Sequence, residues 1–176
     1  MRDSTLGKLA FVDTHIHFWV HDHPDLFYAA LQPEATHPQI GPQWDKLKTD
    51  FVAEDYIAET RNANVTKAVH VQAALGIKDP VKETEFIQQA ADRTGFPLAI
   101  VAYSHLAMPN VEEELARHCE FPNMRGIRHF DAAEHLDNPD FHRGYALLEK
   151  FNLVHSFNIH WEHMYKTRDL ALKFPN

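Results

Sequence analysis

The chain has 176 residues, of which 44% are hydrophobic and 24% charged, and its formal net charge is -8. This length and composition allow one globular domain with a substantial core, and the acidic balance excludes a protein that binds the phosphate backbone of nucleic acids. The single cysteine, Cys119, excludes an internal disulfide and a cysteine cage for zinc. No apolar run reaches the length of about 18 residues that a membrane span needs. We therefore expect a cytoplasmic protein without membrane or nucleic-acid partners.

The first predicted strand, within residues 11–19, carries two histidines, His15 and His17. Because side chains alternate along a strand, both imidazoles point to one face, with Asp13 one pleat below them. A shared divalent cation such as zinc satisfies two such imidazoles, although a hydrogen-bonded core role is the alternative. Residues 20–49 then form a long loop with four prolines, and long loops in compact domains are usually functional.

After this loop, short apolar strands alternate with amphipathic helices. The predicted strands are 67–73, 98–103, 124–130 and 153–161, and the helices are 51–64, those that follow Asp79-Pro80, Asn110 and Asn138-Pro139, and 165–174. Asn110 and Glu113 are predicted to form a capping box. Strand and helix in alternation predict right-handed crossovers and a parallel sheet, either open or closed into a barrel.

Two features favour the barrel. The first strand is not followed by the glycine-rich turn that marks a dinucleotide-binding open sheet. Polar residues also recur where the strands end: His15, His17, Gln72, Ser104, His105, Arg128, His129, Asn158 and His160. The carboxyl ends of barrel strands converge on one site, and a full barrel needs about 250 residues. We therefore predict an α/β fold, a partial (β/α)8 TIM barrel of about five βα units that forms one incomplete domain over residues 1–176.

The chain contains 14 histidines, too many for all of them to be functional. Several lie in predicted loops or helices beside charged residues: His21, His23, His37, His118, His135, His142 and His163. We interpret these as solvated surface imidazoles.

Five segments, taken together and in order, resemble the amidohydrolase-related proteins of the sugar-lactonase and pyrone-dicarboxylate-lactonase type. They are residues 12–19, 69–73, 99–102, 125–128 and 144–148. The resemblance runs from about residue 10 to the end of the chain. It implies a distorted (β/α)8 barrel of the amidohydrolase superfamily that hydrolyses a lactone, or a related ester or amide, at its C-terminal mouth.

The resemblance also implies roles for particular residues. Histidines that match His15 and His17 are metal ligands in the family members that use a metal, and His160 occupies the region where many amidohydrolases place another ligand. The aspartate that acts as acid and base belongs to the eighth strand, at a position beyond Asn176. Some relatives are thought to work without a metal. The predicted cofactor is therefore a divalent metal, zinc first, with metal-independent catalysis as the alternative.

We predict that the substrate is a small lactone or carboxylated molecule that contacts Arg128, Gln72, His105 and Trp19. Arg128 is a candidate clamp for a carboxylate or an oxyanion, or else a salt-bridge partner at the barrel rim. Gln72 and His105 hydrogen-bond substrate hydroxyls, or else satisfy neighbouring backbone. Two other functions stay open. The chain is a non-catalytic fragment or half-barrel that needs a partner, which includes a second copy of itself, or it is a decarboxylase of the same superfamily.

Overall fold

A parallel sheet with its strands in chain order is the centre of the fold. The computed structural model describes residues 9–129 and 132–175. The strands are β1 (Phe11–Ile16), β2 (Val65–Val71), β3 (Ala99–Tyr103), β4 (Met124–Arg128) and β5 (Val154–His155), in the sheet order β1-β2-β3-β4-β5. Such an order belongs to a barrel wall, because the strand order of a doubly wound sheet reverses at its switch point. The prediction of a partial (β/α)8 barrel is confirmed.

Helices connect the strands and cover one face of the sheet. They are α1 (Ala53–Thr60), α2 (Val81–Thr94), α3 (Val111–His118), α4 (Pro139–Lys150) and α5 (Met164–Lys173), with short 3₁₀ helices at Ala29–Leu31, Gly41–Leu47, Ala132–His135 and Trp161–His163. None of the helices in the described part of the chain has the length and apolar character to cross a membrane.

Two helices begin next to the predicted Asp79-Pro80 and Asn138-Pro139 pairs, although the N-cap residue of α2 is Pro80 and not Asp79. At the start of α2, the side chain of Asp79 accepts a hydrogen bond from the N–H of Val81 at 3.2 Å. At the start of α4, the side chain of Asn138 accepts one from the N–H of Asp140 at 2.9 Å. The capping box at Asn110 is wrong, because its side chain makes no cap hydrogen bond. The backbone of Asn110, at φ -93° and ψ 11°, lacks the extended conformation that turns a capping side chain toward the helix.

The fifth strand is much shorter than its apolar pattern predicts. Of residues 153–161, only Val154 and His155 form the strand, through pairing with Gly126 and Ile127 of β4. Val154 is 63% exposed. In the described residues β5 is an edge of the sheet, so no strand on its far side extends the hydrogen-bond ladder.

The main core lies between the sheet and its helices. Phe18, Ile100, Ile127 and Phe141 are fully buried there. Gly144 lets α4 lie directly on the β3–α3 connection, since a Cβ at this position would be 1.9 Å from the carbonyl oxygen of Leu106. This close approach sets the position of the chain on either side of Leu106.

His118, predicted as a surface imidazole, is instead completely buried where α3 packs against α2. Its Nδ1 lies 2.8 Å from the hydroxyl oxygen of Thr84. Burial lowers the pKa of His118 to about 4, so the ring is neutral at pH 7. The prediction fails because polar neighbours in sequence do not reveal which turn of a helix faces the next helix.

Candidate functional site

A cavity of about 510 Å³ opens at the carboxyl ends of β1, β2 and β4, and we call it the mouth pocket. Its walls are His17, Trp19, Tyr28, Ala29, Ala30, Leu31, His37, Trp44, Leu47, Gln72, Ala73, Leu75 and Arg128. Of the predicted site residues, His17, Trp19, Gln72 and Arg128 are among them. The carboxyl ends of the strands are also where barrel enzymes bind their substrates.

His15 and His17 lie side by side, as the strand alternation predicts. Their ring centres are 4.9 Å apart and the rings are nearly perpendicular. The Nδ1 of His17 is 2.7 Å from the carbonyl oxygen of Val71, and a nitrogen so placed donates its hydrogen. The Nε2 of His17 then carries a lone pair, which is how proteins orient a histidine that ligates a metal. The pair therefore fits two ligand positions of a divalent cation.

Both rings are held in the neutral form that metal binding requires. Burial is the main reason for the lowered pKa of His15 and of His17, and the positive charge of Arg128 lowers both further. The carbonyl of Val71 acts on His17 in the opposite direction but does not outweigh burial. Behind them His70 is fully buried, 6.2 Å from the His17 ring, and its pKa falls to about 3 mainly through burial.

Gln72 and Trp19 present groups of fixed orientation to the mouth pocket. The Nε2 of Gln72 donates to the carbonyl of Ala74 at 3.1 Å. Its Oε1 is buried and has no hydrogen-bond partner in the described part of the chain, so it offers an acceptor to a ligand hydroxyl. Trp19 donates from Nε1 to the carbonyl of Thr49 at 2.5 Å, which holds the ring as a wall.

The long loop over residues 20–49 supplies much of the remaining wall. His37 and Trp44 stack with ring centres 4.8 Å apart, and Trp44 donates from Nε1 to the carbonyl of Ala30 at 2.7 Å. Sequence reasoning predicted a functional loop, but its interpretation of His37 as a solvated surface imidazole is wrong, because the ring is half-buried against Trp44. The aromatic residues of the loop within a proline-rich segment were the available signal.

A buried carboxyl group supports the floor of the mouth pocket. Glu83 is 2% exposed, and its Oε1 accepts the N–H groups of Ala73 and Ala74, each at 2.8 Å. Burial raises the pKa of Glu83 to about 7, against the lowering effect of these two hydrogen bonds. Glu83 therefore holds the turn that follows Gln72.

His160 and His105 lie elsewhere. His160 is exposed, with its Nδ1 3.2 Å from a carboxylate oxygen of Glu162, because β5 ends at His155 and the chain has left the sheet before it reaches His160. His105 lies in a second cluster, described next. As a metal ligand and a substrate contact respectively, these two residues stay predictions.

The second cluster consists of His105, His129 and His135, and we call it the histidine triad. The ring centre of His105 is 4.3 Å from that of His129 and 4.9 Å from that of His135. The ring centres of His129 and His135 are 4.9 Å apart. One nitrogen from each ring lies within 4.8 Å of the others. Phe141 of α4 packs behind His129 and His135. Among residues 9–129 and 132–175, these three side chains have the spacing that the ligands of one metal ion require.

Sequence reasoning missed this cluster. His129 is only 1% exposed, and burial, followed by the neighbouring histidines, lowers its pKa to about 3. His135, predicted as a solvated imidazole, is half-buried between its two partners. The available signal was that His105 and His129 each follow a neighbouring parallel strand.

Comparisons with known proteins agree with this fold. The uncharacterized protein y4mH of Sinorhizobium fredii is 28% identical to the chain over an alignment of 183 positions, which covers 97% of this chain and 61% of that protein. The chain therefore spans about three-fifths of the length of the curated relative it matches.

Solved amidohydrolase structures have the same fold. A Burkholderia multivorans amidohydrolase with bound zinc superposes with a TM-score of 0.70 at 24% identity, over 92% of this chain and 53% of that one. Amidohydrolase 2 from Bifidobacterium longum subsp. infantis gives 0.65 at 17% identity, over 95% and 58%. A probable 2-pyrone-4,6-dicarboxylic acid hydrolase from Acinetobacter baumannii, with citric acid bound, gives 0.55 at 16% identity, over 82% and 49%.

The sequence of the chain also matches the amidohydrolase family as a whole. The match covers residues 12–176, from the first strand through the last helix. The resemblance seen in the sequence is thereby confirmed, and the chain belongs to the amidohydrolase family of hydrolases.

Proposed function

We propose that the protein hydrolyses a lactone, or a related ester, of a carboxylated small molecule in the mouth pocket. The observation that carries this proposal is the convergence of His17, Gln72 and Arg128 on one cavity at the strand ends. The three side chains offer a metal-ligating nitrogen, a hydrogen-bond acceptor and a cation. The similarity to the Acinetobacter baumannii protein, whose structure contains citric acid, supports a substrate with carboxylate groups.

Each residue of the mouth pocket has a distinct part in this reaction. The guanidinium of Arg128 binds a substrate carboxylate or the negative charge that develops on the carbonyl oxygen. The Oε1 of Gln72 accepts a hydrogen bond from a substrate hydroxyl. The aromatic wall formed by Trp19 and Trp44 limits the access of water, which strengthens both polar interactions.

A divalent metal, for which zinc is our first choice, fits this site. His15 and His17 would hold it, because both are neutral and the His17 Nε2 lone pair is fixed by the hydrogen bond to Val71. When bound, the metal supplies a Lewis acid for the carbonyl and lowers the pKa of a water molecule. Imidazole ligands without thiolates suit zinc.

The test is an assay of acid release from a panel of sugar lactones and 2-pyrone-4,6-dicarboxylate, with and without added Zn²⁺. We expect hydrolysis of at least one carboxylated lactone, and a loss of about 10²–10³ in kcat/KM in Arg128→Met, as for other oxyanion-stabilising groups. Arg125→Met is the matched control, because Arg125 is exposed on the same strand. Release of carbon dioxide without opening of any lactone would overturn the proposal in favour of a decarboxylase.

A second candidate, a half-barrel that needs a partner, is favoured by the open edges of the sheet. Phe11 and Val12 of β1 are 48% and 53% exposed, and Val154 of β5 is 63% exposed. Unpaired apolar edges promote association. Light scattering over a range of concentrations separates the candidates. A stable monomer without activity supports this second candidate, a non-catalytic fragment that needs a partner. A metal-loaded protein that opens lactones, alone or as an oligomer, contradicts it.

A further inference from the structure

The histidine triad is an unusual way to fill a protein interior. Three imidazoles pack against one another, and two of them pack against Phe141, although each ring carries two polar nitrogens that need partners. His129 is 1% exposed, and its Nδ1 has no hydrogen-bond partner among the residues that the structure describes. Leaving a buried polar atom unsatisfied costs about 1–3 kcal/mol, so a ligand at this point would be stabilising.

The donor set identifies the chemistry of that ligand. Three imidazole nitrogens within 4.8 Å of one another, with no thiolate among them, suit a borderline divalent cation such as zinc. Zinc–nitrogen bonds of about 2.0–2.1 Å hold ligand nitrogens within roughly 4 Å of one another. Side-chain rotations that move the three nitrogens by about 1 Å therefore close the site. His105 and His135 are half-buried, which leaves a path from solvent to the ion.

We propose that His105, His129 and His135 form a second divalent-metal site, separate from the mouth pocket, which binds zinc with water in the fourth position. Three histidines and one open position make a known zinc coordination. The two sites are separate because Arg128, the last residue of β4, and His129, which follows the strand, have different surroundings. Arg128 lines the mouth pocket, whereas His129 packs against Phe141 of α4.

The proposed site joins two connections of the barrel. His105 follows β3 and leads toward α3, whereas His129 follows β4 and His135 ends the 3₁₀ helix that precedes α4. A bound ion cross-links these connections beside the close contact of Gly144 with Leu106. The metal in this site therefore stabilises the rim of the barrel and takes no part in the hydrolysis.

The test uses Co²⁺ as a spectroscopic probe in the purified chain, with Zn²⁺ as the competitor. We expect one equivalent of Co²⁺ with the visible bands of four-coordinate cobalt, displaced by Zn²⁺, in a His15→Ala/His17→Ala double variant that lacks the histidine pair at the end of β1. His105→Gln/His135→Gln in that background removes the bands, whereas the matched control His163→Gln, on another 3₁₀ helix, keeps them.

Three further measurements separate a loss of Co²⁺ binding from a loss of folding, and none of them depends on enzymatic activity. Circular dichroism checks that each variant is folded, and the single His135→Gln variant, a milder change, is expected to weaken Co²⁺ binding by at least tenfold. Hydrogen exchange of residues 104–108 and 132–138 is expected to slow when Zn²⁺ is added to the double variant. Bands that vanish with His15 and His17, or that persist without His105 and His135, would overturn the proposal. Neither result depends on whether the mouth pocket hydrolyses a lactone.

Discussion

The mouth pocket and the histidine triad are both built around histidines at strand ends, yet they differ in charge. Arg128, in the wall of the mouth pocket, adds to burial in lowering the pKa of His17 in the same wall and of His15 next to it. In the triad, burial lowers the pKa of His129, and the neighbouring rings of His105 and His135 lower it further. The first environment attracts an anionic substrate, whereas the second accepts a cation in place of protons. One strand end can therefore supply two sites of opposite preference.

The two regions also differ in how they are assembled. The mouth pocket combines the ends of β1, β2 and β4 with a long loop, and His17 in its wall has His15 two residues away in the chain. The triad needs β3, β4 and the close approach of α4. Changes in the packing of α4 should therefore disturb the triad first, and changes around β2 should disturb the mouth pocket.

The largest expected effect comes from Gly144→Ala. The added Cβ would lie 1.9 Å from the carbonyl oxygen of Leu106, so α4 and the β3–α3 connection must separate. We expect a loss of about 3 kcal/mol or more in the free energy of unfolding, measured by urea denaturation. The control Ala146→Gly, exposed on the same helix, should cost about 1 kcal/mol. Equal costs for the two variants would show that Gly144 does not set this contact.

Glu83→Gln should change how stability depends on pH. The folded protein holds a proton on Glu83 up to about pH 7, whereas the unfolded chain loses it near the ordinary value of 4.5. The folded state binds more protons between these values, so stability falls as pH rises through this window, by up to about 3 kcal/mol. Glu83→Gln should flatten this decline in urea denaturation at pH 5, 6, 7 and 8. The control Glu85→Gln, ion-paired with Lys82, should keep it. An unchanged slope in Glu83→Gln would contradict the raised pKa.

Gln72→Leu tests whether Gln72 in the mouth pocket accepts a hydrogen bond from a substrate hydroxyl. The substitution removes the buried acceptor Oε1 together with the hydrogen bond to Ala74. We expect about a tenfold fall in kcat/KM on a hydroxylated lactone, equivalent to one hydrogen bond. Gln89→Leu on the exposed side of α2 is the control. An equal loss on a lactone without hydroxyl groups would mean that Gln72 only shapes the pocket.

The smallest expected effect concerns the ion pair between Arg117 of α3 and Asp79 at the start of α2. The two groups are 2.6 Å apart, and their side chains are 45% and 32% exposed. This pair links the last turn of α3 to the start of α2. A double-mutant cycle with Arg117→Met and Asp79→Asn should give a coupling of less than about 1 kcal/mol, because solvent screens the pair. A larger coupling would show that solvent screens this pair less than its exposure indicates.

The sequence predicted the barrel wall well because its evidence is local. Short apolar strands at regular intervals, each followed by an amphipathic helix, specify parallel crossovers without any knowledge of packing. The prediction failed at β5, where the apolar pattern over 153–161 continues but the ladder ends at His155. An apolar pattern shows that a segment is suited to a sheet, and only the neighbouring strand decides how far it pairs.

The sequence by itself determined the family, the parallel sheet and the shared face of His15 and His17, because a period of two residues is a property of any strand. Only the tertiary structure decided that His118 is buried, that the long loop closes the mouth pocket and that His105, His129 and His135 meet. These contacts join segments that are distant in the chain. They depend on how closely helices approach the sheet, as Gly144 does at Leu106, and no local pattern records that distance.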